Sequence, residues 1–123
     1  MAARVADPSA QVIALMGDGT VGFHLAEFET AVREDLPFVA VIGNDRFWNA
    51  EHQIQLREFG ADRLHGCDLS DARYDEAVIA MGGFGAFVTE LDALPDALNA
   101  AFASGKPACV NVQITGLPAP VVS

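Results

Sequence analysis

Two apolar runs, residues 11–16 and 38–43, constrain the fold of this chain more than any other feature of its sequence. Each has the length of a strand and stops at a polar turn: Gly17-Asp18-Gly19 after the first, Asn44-Asp45 after the second. Between them, Leu25, Phe28, Ala31 and Val32 recur at helical spacing over residues 24–34, with Glu27, Glu29, Arg33 and Glu34 mostly on the other face. This pattern predicts a helix that breaks before Pro37. Continuous apolar runs joined by a helix suit parallel strands buried on both faces, because crossover helices cover the sheet. Strand, helix and strand together form one right-handed crossover unit.

The rest of the chain continues the alternation. Residues 48–59 read as a weakly amphipathic helix and 60–70 as a polar, irregular surface excursion. A helix over 74–81 stops at Gly82-Gly83, a short strand follows over 86–88, and another helix spans 91–103 with Leu91, Leu94, Leu98, Ala101 and Phe102 as its stripe. Pro95 falls near its start, where amides lack intrahelical partners, so the proline costs little. A last strand over 108–114 precedes a Pro-containing tail, 116–123. The alternation predicts an α/β fold of three layers, a mostly parallel sheet with helices on both faces, as a single domain over 1–123. At this length a chain buries roughly two thirds of its unfolded surface, enough for one core without disulfide or metal staples.

Charge narrows the partners. Seventeen acidic residues stand against seven basic ones, and Lys106 is the single lysine, so no cationic surface exists to neutralise a phosphate backbone or an anionic lipid. Nucleic-acid and membrane-surface binding are excluded on that ground. No apolar run reaches the ~20 residues of a membrane span, and the N-terminus lacks the basic-then-apolar design of a signal peptide. Cys67 and Cys109 have neither CxxC spacing nor the density of a secreted disulfide scaffold, which points to a reducing, cytoplasmic compartment. The net charge of −10 reads as solvated surface, the alternative being a local carboxylate cluster that holds a cation.

The two polar turns fall at the carboxyl ends of successive strands, where ligands of open α/β sheets bind, and are expected to be neighbours. Gly17 and Gly19 leave backbone amides unobstructed, and the turn feeds a helix whose N-terminal end favours negative charge, as a phosphate requires. Asp18 and Asp45 add two hard oxygen donors to the same rim, which suits Mg²⁺ completed by phosphate oxygens and water. Asp and Gly are common turn residues, so the pairing of the two turns carries the signal.

Gly-Asp-Gly followed after 24 residues by Asn44-Asp45 resembles the cofactor motif of thiamine diphosphate-dependent enzymes, a Gly-Asp-Gly followed by a pair of asparagines. The surrounding stretch GDGTVGFHLAEFETAVREDLPFVAVIGNDRFWNAE is similar to the acetolactate synthase and benzaldehyde lyase branch. Tyr74-Asp75, Gly82-Gly83-Phe84-Gly85 and residues 106–112 are similar to the family's closing stretch, so the resemblance covers essentially the whole chain. It implies the thiamine diphosphate-binding fold, truncated at its N-terminal side, with thiamine diphosphate and Mg²⁺ as cofactors. On this resemblance the metal ligands are Asp18, Asp45 in place of the second asparagine, and the Phe47 carbonyl. Gly17, Gly19 and Thr20 belong to the diphosphate-binding set, and Asn44 helps to fix the loop. Asp45 departs from the family pattern: a carboxylate there strengthens metal affinity but opposes the phosphate, unless Arg46 or the following helix N-terminus offsets it.

Trp48, Asn49, Glu51, His52 and Gln53 follow the metal loop in a segment that borders the substrate side of the thiazolium ring in the resembling enzymes. They are the substrate-pocket candidates; Trp48 also fits a core or subunit-interface aromatic, and His52 a partly exposed helix residue. Glu27 matches a recurring family glutamate and reads as solvated or structural. His24 falls at the expected N-cap of the first helix. His65 and Cys67 are too isolated for a zinc site. No catalytic residue is assignable in the chain. The resemblance implies that the glutamate activating the aminopyrimidine comes from a pyrimidine-binding domain, in a missing N-terminal region or another subunit, and that the protein is a homo-oligomer. Because the family's cofactor domain has an earlier strand, the chain is expected to be the C-terminal part of a larger enzyme. The implied activity is acetolactate synthase-like, decarboxylating 2-keto acids and forming carbon–carbon bonds. The alternatives are a benzaldehyde lyase-like or 2-hydroxyacyl-CoA lyase-like carbon–carbon lyase, a cofactor-binding module without catalysis, or a flavodoxin-like domain that binds only a metal.

Overall fold

The computed structural model describes residues 1–118. Four strands, β1 (Ile13–Gly17), β2 (Val39–Asn44), β3 (Phe84–Val88) and β4 (Ala108–Gln113), form one parallel sheet in the order β1-β2-β4-β3. The helices are α1 (Ala2–Ala6), α2 (Asp18–His24), α3 (Glu27–Arg33), α4 (Asn49–Phe59), α5 (Tyr74–Ala80) and α6 (Leu94–Ala103). Short 3₁₀ turns occupy Ala61–Arg63 and Leu91–Ala93.

Topology explains the layers. The chain advances across the sheet from β1 to β2 and from β2 to β3, then steps back so that β4 fits between β2 and β3. With right-handed crossovers, forward and backward steps place their helices on opposite faces. One face is accordingly packed by Val21 of α2, Phe28 of α3 and Val78 of α5 against Ala40, Ile42 and Cys109. The other is packed by Ala101, Leu94, Leu98 and Phe102 of α6 against Val39, Val88, Ala108 and Val110. Pro95 sits in the first turn of α6, as anticipated.

β2 is buried along most of its length, but β1 departs from the expectation of a buried strand. Ile13 and Leu15 are 51% and 78% exposed. β1 is an edge strand, and α6 packs mainly on β4 and β3, with less on β2. The same-face residues of β1 therefore stay open while Met16 packs against the opposite core.

The helix expected over 24–34 is instead α2 and α3, joined by 3₁₀-type bonds from the Phe28 N–H to the Leu25 carbonyl and the Glu29 N–H to the Ala26 carbonyl, 3.2 and 3.1 Å. Helix begins at Asp18, directly after the strand, so Gly17-Asp18-Gly19 is a strand end and a helix start rather than a separate turn. Gly19 and Gly22 are poor helix formers, but burial of Val21, 1% exposed, overrides them. His24 is the exposed last residue of α2 and not an N-cap.

β3 starts at Phe84, ahead of the expected 86. Gly85 permits this, because a Cβ there would lie 2.3 Å from the Asp75 carbonyl oxygen, so α5 rests directly on the strand. The 60–70 excursion is exposed over most of its length but returns to the segment after β2. Cys67 is buried, Trp48 N–H donates to its carbonyl at 2.8 Å, and Leu69 N–H donates to the Arg46 carbonyl at 2.7 Å. Of the expected tail, residues 119–123 lie outside the described residues.

Candidate functional site

Parallel pairing in register, with Gly17 opposite Gly43, brings the ends of β1 and β2 side by side. Asp18 and Asp45 thereby reach one rim. Asp18 is 2% exposed. Its Oδ1 accepts the Gly19 N–H at 2.9 Å, whereas its Oδ2 is buried with no partner. Burial pushes the Asp18 pKa up, the Gly19 hydrogen bond draws it partly back, and the negative charge of Asp45 pushes it up again.

The loop after β2 is shaped by two successive side-chain turns. Asn44 Oδ1 accepts the Arg46 N–H at 3.2 Å, and Asp45 Oδ1 accepts the Phe47 N–H at 3.1 Å. These bonds hold Arg46 at φ +63°, a left-handed conformation uncommon for a residue with a side chain. An antiparallel bridge between Phe47 and Asp68 secures the far side of the loop. Gly116 passes over it: a Cβ there would lie 2.9 Å from Asp45 Oδ2.

A cleft of about 610 Å³ opens on this rim. Among the residues singled out from sequence, Gly17, Asp18, Gly19, Thr20, Asp45, Phe47, Trp48, Asn49 and Glu51 line it. Asn44 is buried beneath, 3% exposed. His52 and Gln53 do not line the cleft: the His52 ring packs edge-on against Phe47, and Gln53 Nε2 donates to Asn49 Oδ1 at 3.1 Å. Gly19 is needed here, since a Cβ on it would come within 2.8 Å of the Trp48 indole. Trp48 in turn packs on Phe23, ring centroids 5.3 Å apart. Glu27 and His24 are exposed on the helices, away from the cleft. A smaller cavity, about 190 Å³, lies beside Arg4 and Lys106 and touches none of these groups.

The donor chemistry fits a hard divalent cation. An anionic oxygen buried without a hydrogen bond, next to a second carboxylate, is a costly arrangement that a cation relieves. Among the described residues no three His, Cys, Asp or Glu side chains gather as one metal-holding group. An ion at Asp18 and Asp45 would therefore need oxygens from outside the protein, as a diphosphate and water supply.

Two buried polar residues escaped the sequence reading as parts of the site. Asn111 of β4 and Asp75 of α5 are 0% and 2% exposed. Asn111 joins Asp75 to Asn44, and Arg73 grips the Asp75 carboxylate with two nitrogens. Burial works against the charged form of Asp75, but the hydrogen bonds from Arg73 and Asn111 outweigh it and hold its pKa below the usual carboxylate range. Their signals in the sequence are a lone asparagine inside the apolar 108–112 run and Asp75 in the Tyr74-Asp75 pair of the family-like closing stretch, neither of which ties them to the cleft.

A parallel α/β sheet with an acidic, glycine-lined cleft at its strand ends belongs to the class of open α/β domains that bind a ligand there. Residues 1–112 match the family described as thiamine pyrophosphate enzyme, C-terminal TPP binding domain, and the chain belongs to that family. It is 42% identical over 113 residues to a probable acetolactate synthase of Mycobacterium bovis, covering 91% of this chain and 20% of that protein. It is 35% identical over 85 residues to the 2-hydroxyacyl-CoA lyase 2 of Mus musculus, covering 69% of this chain and 13% of that protein. A thiamine diphosphate-dependent 4-hydroxybenzoylformate decarboxylase of Rhodococcus jostii shares the fold, with a TM-score of 0.85 at 22% identity over 95% of this chain and 22% of that one. The chain thus spans about a fifth of the length of the acetolactate synthase relative it matches. The α/β fold and the thiamine diphosphate enzyme family inferred from sequence both stand. Among the described residues no helix is long and apolar enough to cross a membrane.

Proposed function

We propose that this chain binds thiamine diphosphate through one Mg²⁺, within an acetolactate synthase-like enzyme that decarboxylates 2-keto acids and joins carbon–carbon bonds. The observation that carries this reading is the buried Asp18 carboxylate, with Oδ2 unpartnered and the charge of Asp45 beside it. Asp18, Asp45 and the Phe47 carbonyl are the protein ligands, the set that Mg²⁺ completes with diphosphate oxygens and water. Gly17, Gly19 and Thr20 receive the diphosphate, and Asn44 holds the loop that carries Asp45. Arg46 and the first turn of α4 offset the added negative charge of Asp45.

When bound, thiamine diphosphate supplies the nucleophilic carbon and the electron sink of the reaction. Trp48, packed on Gly19 and Phe23, screens that side of the cleft from water. Trp48, Asn49 and Glu51 border the 2-keto acid; Gln53 acts through Asn49, and His52 through the Phe47 ring. The carboxylate that activates the aminopyrimidine belongs to a pyrimidine-binding domain outside these residues; supplied by a second copy of the protein, it makes the active form a homo-oligomer. Free Cys67 and Cys109 fit a reducing cytoplasm.

The test is calorimetry of the full-length protein with thiamine diphosphate, with and without Mg²⁺, followed by assay of pyruvate consumption. Metal-dependent binding with pyruvate turnover supports the proposal. Binding with turnover of a 2-hydroxyacyl-CoA instead moves the activity to the lyase reading, binding with no turnover leaves a cofactor module, and no binding at millimolar ligand rejects the site.

A further inference from the structure

Behind the cleft, a chain of polar groups runs from Arg73 at the surface through the buried Asp75 and Asn111 to Asn44. Arg73 donates to both Asp75 oxygens, from Nε to Oδ1 at 3.0 Å and from a terminal nitrogen to Oδ2 at 2.6 Å. Asn111 Nδ2 donates to Asp75 Oδ1 at 3.2 Å and to the Ala72 carbonyl at 3.4 Å. Asn44 Nδ2 donates to Asn111 Oδ1 at 3.2 Å and to the Ala72 carbonyl at 3.3 Å. Asn44 Oδ1 then accepts the Arg46 N–H.

The chain has a direction. An ionised carboxylate only accepts, whereas a carboxamide has a donor end and an acceptor end that can exchange places. Asp75 therefore forces Asn111 to present its NH₂ toward α5 and its oxygen toward Asn44. Asn44 must answer with its own NH₂, which leaves Oδ1 for Arg46. Were Asn44 reversed, its NH₂ would meet the Arg46 N–H and its oxygen would face the Asn111 oxygen in a buried contact.

We infer that Asn111 and Asp75 are positioning residues for the cofactor loop: by fixing the polarity of the Asn44 carboxamide they hold the left-handed turn at Arg46 and so aim Asp45 and the Phe47 carbonyl. This rests on the reading of Asp45 and Phe47 as metal ligands for its functional consequence, but the loop-holding itself does not. Asn111 and Asp75 touch neither the cleft nor its candidate ligands, so their effect passes through Asn44.

The experiment uses the full-length protein and three variants, Asn111→Leu, Asp75→Asn and Asn44→Ala, with the Asn44→Ala/Asn111→Leu double variant. Deuterium uptake over residues 44–48, measured without cofactor or metal, reports the loop directly. Asn111→Leu and Asp75→Asn are expected to raise that uptake and to weaken Mg²⁺ binding in the presence of thiamine diphosphate about tenfold, the usual loss on removing a group behind a metal ligand. Asn111→Leu is expected to add nothing to the affinity loss in the Asn44→Ala background, whereas a purely structural role would add in full. Wild-type uptake in both variants, or additive losses, overturns the inference. Asp75→Asn preserves shape and keeps the test open if Asn111→Leu does not fold. If the wild-type protein binds no Mg²⁺ and thiamine diphosphate, the functional proposal falls, while uptake over 44–48 still decides whether the chain holds the loop.

Discussion

Replacing Asp18 by asparagine should stabilise the cofactor-free protein while destroying its metal binding, and the two effects have a common cause. In the native site one carboxylate oxygen accepts the Gly19 N–H and the other is buried without a partner, beside the negative charge of Asp45. A buried group lacking its hydrogen bond costs about 1–3 kcal/mol, and more when charged. The Asp18→Asn variant would keep the bond to Gly19, remove the buried charge and end the repulsion with Asp45, but leave a neutral NH₂ to be accommodated. The balance is a gain of about 1–2 kcal/mol, a size common when a strained functional group is neutralised. Urea unfolding in EDTA, followed by the fluorescence of Trp48, measures it as a higher midpoint at unchanged slope. Calorimetry on the same sample should show Mg²⁺ affinity in the presence of thiamine diphosphate lowered more than a hundredfold, about 2.7 kcal/mol at 1.36 kcal/mol per tenfold. A lower midpoint together with retained metal affinity would make Asp18 an ordinary structural aspartate and overturn this explanation of its burial.

Other outcomes follow from single contacts. Gly85→Ala would set a Cβ 2.3 Å from the Asp75 carbonyl oxygen and push α5 off β3, so it should lower the unfolding free energy by about 1–3 kcal/mol in the same urea titration. Gly116→Ala would set a Cβ 2.9 Å from Asp45 Oδ2 and should weaken Mg²⁺ binding several-fold with little change in the urea midpoint; a change in stability alone would contradict it. Because the Asp75 pKa is depressed on folding, its contribution is full above the unfolded value of 3.8 and is lost as pH falls through the lower folded value. Stability of the wild type below about pH 4 should therefore decline more steeply than that of Asp75→Asn, as read from thermal melts between about pH 5 and 2.

Some of this molecule is legible in sequence for physical reasons. β2 is central, packed on both faces, and its unbroken apolar run says so. β1 carries the same kind of run but lies at an edge, and composition does not distinguish a covered face from an open one: Leu15 looks like core and is not. The start of α2 was hidden because Gly19 and Gly22 argue locally against a helix that Val21 secures by tertiary burial. At the site, Gly-Asp-Gly and Asn44-Asp45 were readable as one constellation because consecutive parallel strands pair side by side. Asn111 and Asp75 were not, because their contact joins residues 36 apart through the late insertion of β4 between β2 and β3. His52 and Gln53 illustrate the opposite limit: Gln53 shares a side of α4 with Asn49 and bonds to it but lies one turn farther along, and the His52 ring turns to Phe47, so neither lines the cleft.

Whether Asp18 and Asp45 share one divalent ion with a bound diphosphate decides the proposed function. It can be seen in a crystal structure of the full-length protein grown with thiamine diphosphate and Mn²⁺, with anomalous scattering recorded at the manganese edge. One anomalous peak is expected within about 2.0–2.4 Å of an oxygen of Asp18, an oxygen of Asp45 and the Phe47 carbonyl, with the diphosphate on its open side. A bound diphosphate whose metal lies elsewhere, or no metal at either aspartate, would contradict it.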